Sequence, residues 1–394
     1  MATPRGAIVM GAEYRGLGVV RSLGRRGIHV CVLTEPGDRL ASVSRYARTR
    51  RQWPRRGRDS RVEFLRGLAD NGYAGWALFP TTDAAAALIA RHHAELAERF
   101  TLTSPPWEVL RWAYDKRLTH QLAEAVDVAW PSTAYPHDRA DVTTLQARFP
   151  VILKPAVKDS INRLTTAKAW RADSREELLA LYEDACKLVP RDTIMVQEFV
   201  PGGGEAQFSY AALCRDGTVL AEMTARRMRQ YPSEIGRAST YVETVERPEV
   251  IDPARRLLAR MRLTGLAEVE FKLDPRDGRY KLLDINPRVW GWHTLGGAAG
   301  VDFPYLLWRL VAGERVPAVA ARTGVAWLRL TTDLPTALPK LLRGRVPARP
   351  YLASLVRRPR AAAIFAADDP LPALLEVPLM VSLLVRRLAR GDAY

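Results

Sequence analysis

Val269-Glu270-Phe271, with Asp284 fourteen positions after Glu270 in the run Asp284-Ile285-Asn286-Pro287-Arg288, is the stretch on which the fold turns. The two segments read as adjacent strands, Glu268–Leu273 and Tyr280–Ile285. The turn formers Asp274-Pro275-Arg276-Asp277-Gly278 join them. Side chains two apart on a strand share a face, so Glu268, Glu270 and Lys272 point one way. Asp284 and Asn286 share a face if the second strand runs that far. A hairpin that sets Glu270 opposite Asp284 collects two carboxylates and a carboxamide oxygen on one rigid surface. Those are oxygen ligands suited to Mg²⁺, which takes a few carboxylates plus phosphate oxygens and water. Arg288 follows at once, a fixed cation suited to a phosphate.

Register decides whether that surface exists. A two-residue Asp277-Gly278 turn would pair Glu270 with Ile285 and send the carboxylates to opposite faces. Facing carboxylates need an odd-length loop or a bulge, which Gly278 is placed to supply. An ordinary exposed hairpin with acids on its wet side fits the same residues.

The chain has 394 residues, enough for two or three domains, and a net charge of +16. Arginine runs such as Arg48–Arg51 suggest a nucleic-acid or membrane surface, but they lack interleaved aromatics and match no nucleic-acid module. Codon bias toward Arg and Ala explains them, and the positive field still favours anionic substrates. Cys31, Cys186 and Cys214 stand far apart, with neither metal nor disulfide spacing. No apolar run is long enough to span a bilayer, and Met1–Arg5 leads straight into a strand-like Ala7–Met10. A cytoplasmic protein is the expectation.

Residues 6–35 read as strand, turn, helix, strand. The turn Gly11–Gly18 lacks the GxGxxG spacing and an acid for a ribose, so close helix packing is its expected role. Trp76–Phe79 is a further strand. Asp83 follows it as a helix N-cap or a ligand-facing polar group, before a helix Ala84–Arg99. Helix is expected over Trp107–Val126, holding Lys116. A strand Val151–Pro155 carries Lys154. Ser174 and Glu177 are expected to form a capping box for helix Ser174–Leu188. Thr193–Val196 leads into Gln197-Glu198-Phe199-Val200, and Glu205–Cys214 pairs with Val219–Thr224. Arg226–Ser239 reads as a polar loop. Beyond about residue 312 the chain is rich in Pro, Leu and Arg. Leu371–Val385 with Arg386-Arg387 fits a helix packed on the body or on a second subunit, or one lying on a membrane. Packing is the preferred reading.

Lys116, Lys154, Glu198, Glu270, Asp284, Asn286 and Arg288 occur in the order and rough spacing of the ATP-grasp superfamily, which residues 1 to about 310 resemble. The resemblance implies an α/β plus α+β architecture. A pre-ATP-grasp, Rossmann-like domain (1–104) would precede a small lobe with its linker helix (105–190). A large lobe with the metal site (191–311) and a basic C-terminal helical extension (312–394) would follow. It further implies ATP and Mg²⁺, or Mn²⁺, between the lobes. Lys116 and Lys154 would contact phosphates. Gln197, Glu198, Phe199 and Val200 would form the adenine hinge, with Glu198 accepting from the amino group and Glu205 near the ribose. Glu270, Asp284 and Asn286 would hold the metal, and Arg288 the transferred phosphate.

Two features depart from the family pattern. Asp284 stands where glutamate is common, and the loop after Lys154 has no glycine, leaving Lys158, Ser160 or Arg163 to reach phosphate. The closest resemblance is to carboxylate–amine ligases such as D-aspartate ligase, through Arg226–Pro232 and Gly236. That implies an amide or peptide bond formed through an acylphosphate, with ADP and phosphate released. Arg226 and Arg229 are the candidates to hold a substrate carboxylate. A bicarbonate-using carboxylase and a non-catalytic ATP-binding regulator are the alternatives. The expected partners are small carboxylates and amines, with a homodimer in keeping with such families. Lys168 reads as a solvated lysine or one that reaches phosphate, with the first preferred, Glu268 as a spare ligand or ion-pair partner, and His293 as structural.

Overall fold

The structure, a computed structural model, describes residues 3–54, 57–157, 162–231, 236, 238–344, 346–357 and 359–388. The N-terminal sheet is parallel and runs β3-β2-β1-β4-β5. Its strands are β1 (Ala7–Met10), β2 (Val30–Thr34), β3 (Thr49–Gln52), β4 (Ala77–Pro80) and β5 (Thr101–Leu102). β1 and β4 are buried along their whole length, as a parallel sheet covered on both faces requires. The first turn is built for contact. A Cβ on Gly16 would lie 2.1 Å from the Gly11 carbonyl oxygen, and one on Gly18 would lie 2.4 Å from His293 Nε2.

A second, antiparallel sheet runs β6-β9-β7-β8. It comprises β6 (Thr133–Ala134), β7 (Val151–Pro155), β8 (Trp170–Ala172) and β9 (Ile194–Glu198), with helix Arg175–Cys186 packed against it. β9 belongs to this sheet, so the small lobe extends to 198 rather than ending at 190. The Ser174 side chain caps the helix at the Glu177 N–H, but the Glu177 carboxylate reaches back to the Asp173 N–H instead of closing the expected box.

The third sheet has eight strands in the order β14-β13-β10-β11-β12-β16-β17, with β15 beside β11. They are β10 (Gln207–Arg215), β11 (Thr218–Tyr231), β12 (Ala238–Thr244), β13 (Gly265–Leu273), β14 (Tyr280–Asn286), β15 (Val319–Ala320), β16 (Ala326–Leu328) and β17 (Arg360–Ala362). One face is covered by helix Pro248–Arg260, whose Val250, Ala254, Leu257 and Leu258 are buried. The other face shares a single core with the N-terminal domain, where Leu213, Met223 and Val242 meet Leu17, Trp290 and Trp327.

Two expectations change here. Arg226–Ser239 is not a loop throughout, because β11 continues to Tyr231 and β12 starts at Ala238. Residues 312–394 are not a simple appendage, because they supply β15, β16 and β17 to the large sheet. They are also fastened to the first domain. Buried Asp369 accepts from Arg21 Nε at 2.9 Å, from Ser44 Oγ at 2.6 Å and from the Arg45 N–H at 2.9 Å.

Candidate active site between the lobes

β13 and β14 meet with Glu268 opposite Asn286 and Glu270 opposite Asp284. Directly paired residues point to the same side, so all four side chains share one face. The hairpin loop itself would have prevented this. Leu273 pairs with Tyr280, and continuing that register would set Glu270 against Leu283. A bulge between these pairings shifts the strand by one residue. The correction therefore comes at Leu283, not at Gly278. The bulge also lets Leu282 and Ile285 both face the core under helix Pro248–Arg260 while Asp284 faces the cleft.

The acids are held in a dense network. Asn286 Nδ2 donates to Glu270 Oε1 at 2.9 Å and to Glu268 Oε2 at 3.2 Å. Ser209 Oγ donates to Glu268 Oε1 at 3.0 Å, and Arg227 to Glu270 Oε2 at 3.2 Å. Burial and the neighbouring Glu270 charge push the Glu268 carboxyl up to about 8. Burial acts on Glu270 in the same direction, but the cations Arg227 and Lys168 prevail and hold it below the ordinary carboxylate range. The pair thus divides into a protonated Glu268 and an ionised Glu270 near neutrality.

The opposite wall comes from elsewhere in the chain. Asp115 caps helix Lys116–Ala125, breaking the long helix expected over 107–126, and leaves Lys116 on its first turn. The Lys116 ammonium pairs with Asp284, and its backbone N–H bonds to the Ala156 carbonyl beside β7. Lys154 is carried by β7 itself. Arg288 donates to both Asp83 oxygens, at 2.6 and 3.1 Å, and to Asn286 Oδ1 at 3.1 Å. Burial works against that cation, and Asp83 more than offsets it, so the guanidinium stays charged. Thr82, not Asp83, caps the helix after β4, which leaves Asp83 for this role.

Lys116, Glu270, Asp284, Asn286 and Arg288 therefore form one connected cluster, and the Lys154 charge acts with that of Lys116 on His120 beside it. Arg226 and Arg229 do not join them. Arg227 pairs with Gln207, and Gln207 with Lys272, which puts Arg227 on the Glu270 face. Strand alternation turns Arg226 the other way, where its Nε donates to the Glu205 carbonyl at 2.6 Å and its guanidinium lies over Phe208. Arg229 follows a second bulge, grips Asp333 at 2.8 and 2.9 Å, and stacks on Tyr241 and Tyr351. Reading this segment as a loop concealed the alternation that singles out Arg227.

The residues expected to form the hinge lie on β9 and the segment after it. Gln197 and Val200 are buried, and Gln197 Nε2 donates to Thr133 Oγ1. The Glu198 carboxylate is already occupied by the Ser132 N–H, Lys281 and Arg276, at 3.0, 2.8 and 2.9 Å. An adenine amino group would share that carboxylate with three donors already in place. The Phe199 N–H is taken by the Pro150 carbonyl. Glu205 accepts from the Gly203 N–H at 3.0 Å. A cavity of about 490 Å³ opens beside Phe199 and Glu205, against Gln230 and the helix Leu330–Leu342.

Three further side chains were missed or misread. Lys168 is half-buried and donates to the Gly236 carbonyl at 3.0 Å, so it is not simply solvated. Lys272 is buried, and desolvation lowers its ammonium to about 8. His120 stands one helical turn after Lys116, 2.8 Å from Tyr135 Oη. Burial first, then Lys154 and Lys116, pushes it down to about 3, so it is neutral. The four-residue spacing from Lys116 was a usable signal. His293 is buried with Nδ1 2.9 Å from the Trp290 carbonyl. Lys158 and Ser160 lie outside the described residues. Arg163 pairs with Asp184.

Among the described residues no group of three or more His, Cys, Asp or Glu is arranged to hold a metal by itself. The donors here are two carboxylates and one carboxamide. Their chemistry fits a magnesium ion whose remaining ligands are phosphate oxygens and water.

The sequence family described as "ATP-grasp in the biosynthetic pathway with Ter operon" matches residues 191–332. D-aspartate ligase of Enterococcus faecium (strain Aus0004) is 25% identical over 251 residues, covering 58% of this chain and 57% of the relative. The chain thus spans little more than half of that protein. L-amino acid ligase from Bacillus licheniformis superposes with a TM-score of 0.60 at 14% identity, over 79% of this chain and 75% of that one. The biotin carboxylase domain of Hydrogenobacter thermophilus 2-oxoglutarate carboxylase, solved with MgADP, ADP and bicarbonate, gives 0.65 at 16% identity, over 83% and 74%. At such identities the structural likenesses establish the fold.

Proposed function

We propose that this chain, which carries an ATP-grasp domain, is an ATP-dependent carboxylate–amine ligase that forms an amide or peptide bond and releases ADP and phosphate. The observation that carries the reading is the face formed by Glu270, Asp284 and Asn286, opposed by Lys116 and Lys154 and flanked by Arg288. A nucleotide triphosphate is the ligand that uses anion-binding cations and metal-binding oxygens in one cleft. The similarity to D-aspartate ligase supports a carboxylate and an amine as the substrates.

Glu270, Asp284 and Asn286 would hold magnesium, which when bound neutralises phosphate charge and orients the γ-phosphoryl group. The residues of the chain do the rest. Lys116 exchanges its Asp284 contact for a phosphate oxygen, and Lys154 contacts the same polyphosphate. Arg288, kept charged by Asp83, meets the phosphoryl group in transfer. Arg227 holds Glu270 ionised. A carboxylate oxygen attacks the γ-phosphorus as the bond to ADP breaks, giving an acylphosphate. The amine nitrogen then attacks the acyl carbon and loses a proton, and phosphate departs with the former carboxylate oxygen. Rate enhancement rests on positioning and charge neutralisation, and on excluding water from the acylphosphate.

The test is isotopic. A carboxylate substrate labelled with ¹⁸O transfers one label to the released phosphate. Unlabelled phosphate alongside amide product would contradict the acylphosphate route. A bicarbonate-using reaction is the second reading, favoured by the likeness to the carboxylase domain. It predicts ATP turnover that needs bicarbonate and no organic acid.

A further inference from the structure

We infer that the C-terminal helices form a docking surface for an anionic lipid bilayer. This inference is independent of the proposed activity. Helix Leu330–Leu342 leaves Leu334 42%, Leu338 46% and Leu342 80% exposed, at four-residue spacing. Helix Leu371–Leu388 leaves Leu374 70%, Val381 53% and Val385 57% exposed, while Ala373 and Leu379 pack on the core. The expected packing on the body therefore accounts for one side of this helix only. The two helices are joined where Thr331 Oγ1 donates to Glu376 Oε1, and aliphatic stripes of this kind are unusual on a free surface.

Charge identifies the occupant. Residues 330–388 contain nine lysines and arginines and four acids. Each of the four acids accepts from an arginine outside these helices: Asp333 from Arg229, Asp368 from Arg25, Asp369 from Arg21 and Glu376 from Arg329. Asp333, Asp369 and Glu376 are buried besides. The outward surface is left with aliphatic side chains and cations such as exposed Arg343 and Arg349. A bilayer of anionic lipid takes the aliphatic groups below the headgroups and the arginines at the phosphates. Among the described residues no helix is long and apolar enough to cross a membrane, so the helices would lie in its surface.

The test is flotation of the full chain with vesicles of phosphatidylcholine alone or with about 30% phosphatidylglycerol, at low and high salt. Binding to the anionic vesicles, weakened by salt and absent on neutral ones, is expected. The double variant Leu338→Glu/Leu342→Glu alters exposed positions, and its thermal melt should match the wild type. Its partition to anionic vesicles should fall about tenfold or more. Failure of the wild type to float with anionic vesicles would overturn the inference, as would equal flotation of the folded variant. A dimer in light scattering that this variant converts to monomer would assign the face to a second copy instead.

Discussion

At Glu270 the state of charge is set chiefly by Arg227, with Lys168 behind it, and Glu270 and Arg227 are both buried. Arg227→Ala leaves a buried carboxylate without its cation and should cost roughly 3 kcal/mol of stability. Arg226→Ala, one position away on the other face, should cost under about 1 kcal/mol. Paired chemical denaturation curves check both, and equal losses would mean that the face assignment is wrong. Glu268 supplies a pH test. Its folded carboxyl titrates at about 8 and its unfolded one near the ordinary value, so the folded chain binds the extra proton between them. Stability from this residue is therefore lost as pH rises from about 4.5 to 8. Glu268→Gln keeps partners for Ser209 and Asn286 without that proton. Its melting temperature should fall less steeply over the window than the wild type's, and parallel slopes would refute the assignment.

The bulge at Leu283 is the element that turns a hairpin into a site. Deleting Leu283 removes the extra residue, so pairing runs directly from Phe271–Leu282 to Glu270–Asp284 and Asp284 stays on the cleft face. Binding of a fluorescent ATP analogue should therefore persist; its loss in a variant that still folds would show that the register is not what places Asp284. The two strands were legible in the sequence because their apolar residues match the core face. The bulge was legible only as a requirement, since any position along the hairpin satisfies the parity. Arg226–Tyr231 was misread because its arginines and polar residues hide the strand pattern, although its partners β10 and β12 are its neighbours in the chain. The lysines were found by their context at strand and helix ends. His120, Lys168 and Arg227 needed the tertiary arrangement to acquire neighbours.

Over the whole molecule, the parallel domain, the small lobe and the large lobe follow the order legible in the sequence. The integration of the C-terminal region was not legible, because Asp369 and Arg21 are 348 residues apart. Asp369→Ala would strand buried Arg21 and should lower stability by roughly 3 kcal/mol in denaturation curves. Unchanged curves would show that the clamp is dispensable. The central claim is that one cleft uses Glu270, Asp284 and Asn286 on one side and Lys116 and Lys154 on the other to transfer the γ-phosphoryl group of ATP. The direct measurement is product analysis of ATP turnover with magnesium and a panel of amino acid and amine pairs, in wild type and Asp284→Asn. The account predicts ADP and phosphate in equal amounts only when a productive pair is present, and a loss of about 100-fold or more in the variant. Formation of AMP and pyrophosphate, or turnover undiminished in Asp284→Asn, would contradict it.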